Sequence, residues 1–339
     1  MSVLLALLRG ERAPGEGDAR WPETLALAER HGVAPLLHET ARDLPGGPRA
    51  ALRQARVRAL RDQGRLQGAL RRALGLLGGA VVLKGAAYSR QLYPEPELRP
   101  SGDVDLLVAP ERADAALQAL AAYRWHQLAR PHEERAGWHE RSLEDPQEPL
   151  VLIDLHCGFS QRERTRLEVA ALISRSLPAP ELGPGARVLE PTDALLAHAA
   201  NLGTHELRVP LIAVADLARL WPRAVPALLL ERAEEARLCG ALYASIELLV
   251  RCAPEGLFGG ARVELPSLRN FLERSRARVP SALSRQGLAW AASRYDLSRR
   301  PLGRAEQLAR KALFIDRPLD RVRFALAHAR TVASAALRG

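Results

Sequence analysis

The chain reads as an α+β protein in which a small mixed β-sheet core is flanked by helical N-terminal and C-terminal regions. Three observations point there. Residues 1–78 carry leucine and alanine at helical spacing, residues 79–188 switch to short apolar runs alternating with helical stretches, and residues 189–339 return to helical periodicity. At about 150 residues per domain, 339 residues are ample for a buried core and for more than one structural region. Hydrophobic residues at 47% and charged residues at 26% match folded globular chains and exclude disordered, collagen-like and fibrous classes.

The first region opens on an apolar run. It continues with a helix from Trp21 to Glu29 and a long helix from Pro48 to Leu77, decorated by Arg53, Arg56, Arg58, Arg61 and Arg65. The second region starts with Ala80-Val81-Val82-Leu83, a short buried strand running into Lys84-Gly85, and a helix follows from Ala86 to about Leu92. Gly85 is the expected turn, where a glycine lets a ligand phosphate approach the N–H groups of a helix N-terminus.

Pro100-Ser101-Gly102 then turns the chain into Asp103-Val104-Asp105-Leu106-Leu107-Val108, a strand halted by Pro110. Alternation puts Asp103, Asp105 and Leu107 on one face and Val104, Leu106 and Val108 on the other. Two carboxylates on one strand face, ~6–7 Å apart, repel each other unless a cation lies between them. The bland alternative is a solvated strand start after a turn. A second strand, Leu150 to His156, has the same grammar: Asp154 and His156 share a face, and an acid inside an apolar run needs a partner. If the two strands are neighbours, Asp103, Asp105 and Asp154 converge. Three such oxygen donors suit Mg²⁺ or Mn²⁺, which take carboxylates and leave positions for a phosphate.

Pro and Gly clusters at 178–185 and 254–260 break the chain before and within the third region. His198 and His205 stand seven apart, on one face if their helix is unbroken, and Asp216 follows in an apolar helix. They are candidates for the second wall of a cleft, against the plainer reading of hydrogen-bonded core residues. His132 and His139, with Glu133, Glu134 and Glu140 nearby, are read as a solvated loop between strands.

The net charge of +10 is unevenly spread. Residues 270–339 hold 15 basic and 5 acidic residues, while residues 1–269 balance at 34 of each. Such a tail attracts an anionic partner, or else forms a solvated arginine-rich helical face. Of the 49 basic residues only Lys84 and Lys311 are lysine, so the 47 arginines make a lysine directly before the turn glycine notable. Cys157, Cys239 and Cys252 are odd in number and lack metal-type spacing, which fits a reducing cytoplasm. No secretory signal pattern and no run of ~20 apolar residues is present, so neither export nor membrane insertion is expected.

The text Leu83-Lys84-Gly85-Ala86-Ala87, Leu92-Tyr93-Pro94, Leu98-Arg99-Pro100-Ser101-Gly102-Asp103-Val104-Asp105-Leu106-Leu107-Val108 and Ile153-Asp154-Leu155-His156 resembles the uncharacterised bacterial nucleotidyltransferase family of the polymerase-β-like nucleotidyltransferase superfamily. The likeness extends to residues 28–37 and 193–220. It implies a nucleotidyltransferase core and a Mg²⁺- or Mn²⁺-dependent transfer of a nucleoside monophosphate from an NTP to an acceptor hydroxyl, with pyrophosphate leaving. Asp103, Asp105 and Asp154 would then be the catalytic metal ligands. Lys84, Gly85, Ser89, Arg99 and Ser101 would contact the nucleotide, and His156, His198, His205 and Asp216 are candidates for the acceptor side. Gly85-Ala86 departs from the Gly-Ser or Gly-Gly usual in the wider superfamily, so a serine hydroxyl is missing there. The acceptor class is open: small molecule, peptide, protein or RNA. Two other readings are a catalytically silent nucleotide- or partner-binding protein of the same fold and an RNA-binding or RNA-modifying protein. Low aromatic content, 4%, argues against a base-stacking platform.

Overall fold

The computed structural model describes residues 3–128, 139–159, 165–279, 286, 310–317 and 320–321. Four helices lead in: α1 (Val3–Leu8), α2 (Trp21–Arg30), α3 (Ala34–Thr40) and α4 (Gly46–Leu77). The sequence reading distinguished α2 and α4. The short α3 is set by Pro35 in its first turn, where the missing N–H costs nothing. The 32-residue α4 ends at Gly78, whose left-handed backbone (φ 67°) returns its N–H to Leu74 O.

The central region contributes β1 (Ala80–Leu83), α5 (Lys84–Gln91), β2 (Asp103–Leu107), α6 (Ala113–Ala122), β3 (His126–Gln127), β4 (Glu140–Glu144), β5 (Leu152–His156), α7 (Val169–Arg175), β6 (Leu177–Pro178) and β7 (Ala186–Val188). Leu150, expected to begin the last long strand, is exposed and precedes it. The seven strands form one mixed sheet in the order β3-β4-β5-β2-β1-β7-β6. The pairs β1–β2, β3–β4, β4–β5 and β6–β7 are antiparallel, whereas β2–β5 and β1–β7 are parallel. All four residues of β1 are buried, as an apolar run in a sheet interior should be.

Behind the sheet lie α8 (Pro191–Thr204), α9 (Leu211–Leu220), α10 (Pro226–Glu235) and α11 (Cys239–Cys252). The hairpin β8 (Leu257–Phe258) and β9 (Ala261–Arg262) and then α12 (Leu265–Arg276) follow. The start of α8 is well specified: Pro191 opens it, and the Glu190 carboxylate accepts the N–H groups of Thr192 and Asp193. One cluster of buried apolar side chains runs from Val3 through the sheet to Phe314. Among the described residues no helix is long and apolar enough to cross a membrane, and all three cysteines are free.

Most of the basic tail lies outside the described residues. Its described part docks on the helical layer: Asp316 accepts the N–H groups of Cys239 and Gly240 at the start of α11, and Asp320 pairs with Arg237. A carboxylate at a helix N-terminus satisfies donors that have no partner within the helix.

The helical layer is tied to the sheet region by a buried polar joint. Arg99 Nη2 lies 2.8 Å from Asp216 Oδ2 on α9, with Arg99 Nε 3.2 Å from the same oxygen. Tyr93 Oη donates to Asp216 Oδ1 at 2.9 Å, and Tyr88 Oη donates to Ala194 O on α8 at 3.1 Å. Removing one partner of such a pair strands the other charge in the interior. Asp216→Ala is therefore expected to destabilise the protein by about 3–5 kcal/mol, and Arg99→Met combined with Asp216→Leu to recover most of that loss. Urea unfolding of both proteins measures the difference.

Candidate active site

Strand order and register place the acids. In the parallel pair β2–β5, Asp105 stands opposite Asp154, and in β4–β5, Ser142 stands opposite Asp154 and Glu140 opposite His156. Registered residues share a face, so Asp103, Asp105, Asp154, His156, Glu140 and Ser142 all emerge on one side of three adjacent strands. Asp105 is the buried centre, 3% exposed. Its Oδ1 receives Lys84 Nζ at 2.8 Å and His156 Nε2 at 2.9 Å. Asp154 accepts a short hydrogen bond from Ser142 Oγ. Ser101 Oγ donates to Asp103 O at 3.1 Å and lies 3.4 Å from Asp103 Oδ1, which holds the turn against the strand it introduces.

Lys84 is the first residue of α5 and adopts φ 40°, a left-handed backbone that a side-chain-bearing residue rarely takes. The turn expected at Gly85 thus falls one residue earlier. Gly85 is needed for a different reason: a Cβ there would sit 2.0 Å from Ser101 Oγ and 2.7 Å from Arg99 Nη1. The space a ligand phosphate was expected to use on that side is filled by the chain's own side chains. Beside Lys84 lies a narrow, mainly apolar slot, lined by Leu83, Tyr88, Gln91, Phe159 and Leu189 among others.

The electrostatics follow from crowding. Burial, and next the neighbouring Asp105 charge, push Asp103 up to about 6. Burial also raises Asp154, joined by Glu140 and Asp105 and opposed by the Ser142 hydroxyl. For Asp105 burial acts upward too, but Lys84 and His156 outweigh it and hold the carboxyl below the usual carboxylate range. Lys84 is raised: burial disfavours its charge, and Asp105 more than compensates. The sheet face therefore carries negative charge that one ammonium does not neutralise.

Several residues singled out from sequence are placed elsewhere. Ser89 is buried, and its hydroxyl returns to Ala86 O within α5 at 3.0 Å. Arg99 and Asp216 are spent on each other in the joint described above. His198 is enclosed: its Nε2 lies 2.8 Å from Ala213 O, its ring meets Tyr88 edge-on, and burial lowers its basicity. His205 follows the last residue of α8 and is exposed, because the helix ends at Thr204. The two histidines thus do not share a helix face toward the acids. Glu140, read as loop, is the first residue of β4, with Oε2 3.7 Å from His156 Nδ1. His132, Glu133 and Glu134 lie outside the described residues. Glu140 and Ser142 are the site residues that sequence reasoning missed. The only signal for them was the alternation in Glu140-Arg141-Ser142-Leu143, a short and mostly polar run.

A hard divalent cation fits this donor set by chemistry, since Asp103, Asp105 and Asp154 offer carboxylate oxygens on one face. Asp103 and Asp154 also hold their protons more tightly because they are buried and crowded by neighbouring carboxylates. As the side chains stand, no group of three acid, histidine or cysteine ligands closes around a point among the described residues. Asp105 turns to Lys84 and His156, and Asp154 turns to Ser142.

Asp103 has a testable signature. Its carboxyl is harder to ionise in the folded chain than in the unfolded one, so its ionisation costs stability as pH rises from 3.8 through about 6. Asp103→Asn removes that cost. In EDTA the variant is expected to melt above the wild type at pH 7–8, with the gap closing as pH falls below 4. Thermal melts across this range check it.

Comparison with known proteins completes the picture. A search of curated proteins and of solved structures returned no match. A family profile described as an uncharacterised nucleotidyltransferase matches residues 17–254, spanning the lead-in helices α2 to α4, the whole sheet and the helices α8 to α11. With this match over most of its length, the chain belongs to the uncharacterised nucleotidyltransferase family.

Proposed function

We propose that this chain transfers a nucleoside monophosphate from an NTP to an acceptor hydroxyl, releasing pyrophosphate, in a reaction that depends on Mg²⁺ or Mn²⁺. The observation that carries the reading is the side-by-side register of Asp105 and Asp154, with Asp103 two residues away on the same face. A sheet has no structural need for three acids on adjoining positions, because each raises the cost of ionising the next.

Asp103, Asp105 and Asp154 would hold the cation. When bound, it neutralises phosphate charge and makes the α-phosphorus a better target for an incoming hydroxyl. His156 holds Asp105 in place through Nε2 and is itself flanked by Glu140, so both act by positioning. The Lys84 ammonium, a compact charge on a flexible stem, is suited to a phosphate oxygen.

A second reading, a catalytically silent binding protein of the same fold, draws on one observation: Lys84 already bridges to Asp105, as a fold that dispensed with the cation would require. The experiment that separates the two is incubation with each α-labelled NTP and Mg²⁺ or Mn²⁺, with and without cell extract. Transfer of label supports the enzyme, and Asp103→Asn is expected to lower it by about 10³-fold, as when a group worth about 4 kcal/mol to the transition state is lost. Asp105→Asn would give an equal loss but also a lower melting temperature, since it leaves Lys84 without its counter-ion.

The basic tail is proposed to hold an anionic partner, including an anionic acceptor. If so, retention of the full chain on a polyanion matrix falls steeply between 50 and 200 mM salt, as counter-ion release demands. Retention that ignores salt would make the tail a structural element only.

A further inference from the structure

We infer that Lys84 is an internal counter-ion that keeps the place of the divalent cation at Asp105, and that a triphosphate must draw it away before the cation can bind tightly. The inference rests on the reading above and adds an order to it: cation and triphosphate bind cooperatively, each weakly alone.

Four observations carry it. First, Lys84 Nζ lies 2.8 Å from Asp105 Oδ1, and the same oxygen takes His156 Nε2 at 2.9 Å, so the carboxylate best placed between Asp103 and Asp154 is already saturated on one side. Second, no three ligands close around a point among the described residues, although three carboxylates share the face. Asp105 is turned toward Lys84 and His156, and Asp154 toward Ser142. Third, Lys84 is held with φ 40° at the start of α5. Strained backbone at a ligand-binding position persists only where the surroundings impose it, and it can be released by movement. Fourth, the Lys84 side chain is 29% exposed while that of Asp105 is 4% exposed, so of the two partners the lysine is the one that borders solvent.

Charge does the rest. An ammonium and a dication in contact with one buried carboxylate repel each other strongly, because little water screens them. Either the cation stays out or the ammonium leaves. A lysine stem can swing to a new anion close by, whereas an arginine fork held by two bonds would resist, which gives a reason for lysine here in a chain with 47 arginines. The anion that would receive it is the polyphosphate of the substrate. By linkage, the phosphate raises cation affinity by the same factor as the cation raises phosphate affinity.

The test uses the full chain, Mn²⁺ and inorganic tripolyphosphate. Free Mn²⁺ is followed by electron paramagnetic resonance. Wild type is expected to bind Mn²⁺ weakly alone and at least tenfold more tightly with tripolyphosphate present. Lys84→Met is expected to bind Mn²⁺ alone at least tenfold more tightly than wild type and to lose most of the tripolyphosphate effect. Equal or weaker Mn²⁺ binding by a folded Lys84→Met overturns the inference. A second measurement needs no variant. With ¹³C,¹⁵N-lysine labelling only two side-chain ammonium signals exist, Lys84 and Lys311. The Lys84 signal should move when Mg²⁺ and tripolyphosphate are added together, while Lys311 stays as an internal control. A Lys84 signal that stays fixed while label transfer proceeds overturns the inference and leaves the enzyme reading standing. Tighter Mn²⁺ binding by Lys84→Met in a chain that transfers no label would do the reverse.

Discussion

A carboxylate buried in the middle of a sheet is the constraint around which this protein is arranged. Asp105 lies on an interior strand, and burial alone would drive it to the neutral form. It stays ionised because Lys84 from the next strand's end and His156 from the strand on its other side both reach one of its oxygens. Both partners come from long-range pairing: β1 must lie against β2 and β5 must run parallel to it. The strand order and the charge of Asp105 therefore support each other. A different order would leave the carboxylate without donors.

The same logic explains the packing behind the sheet. Glycine at position 85 allows the Arg99 and Ser101 side chains to come up against the start of α5. Arg99 then reaches through to Asp216, with Tyr93 completing the pair from the same segment. The polar joint forms where the segment leading to the acidic strand meets α8 and α9, so those helices hold that segment in place. His198 belongs to this brace, a neutral ring wedged between Tyr88 and the Ala213 carbonyl.

The helical layer has a further tie at its far side. Asp316 closes the start of α11 and Asp320 meets Arg237, while the basic residues Arg278 and Lys311 of the same segment pair with Glu234 and Glu206. Five acids among the last 70 residues are few, and two of them are engaged in this way.

What the sequence by itself determined was local. Alternation with period two put Asp103 and Asp105 on one strand face and Asp154 with His156 on another. Apolar runs bounded by turns marked the strands, and helical spacing marked the flanks. The single lysine before a glycine stood out against a background of arginine. What only the tertiary structure decided was which of these faces meet. Arg99 and Asp216 are 117 residues apart and Lys84 and Asp105 are 21 apart; no periodicity within a window of one element specifies either pair. Arg99 therefore read as a phosphate ligand and Asp216 as an acceptor contact until the fold placed them together. Glu140 read as loop because its strand is short and mostly polar, and at Glu140 itself only β5 pairs with it. Side-chain alternation is a property of one strand, but a site is a property of several, and the order in which strands assemble is set by the burial and charge compensation of the whole chain.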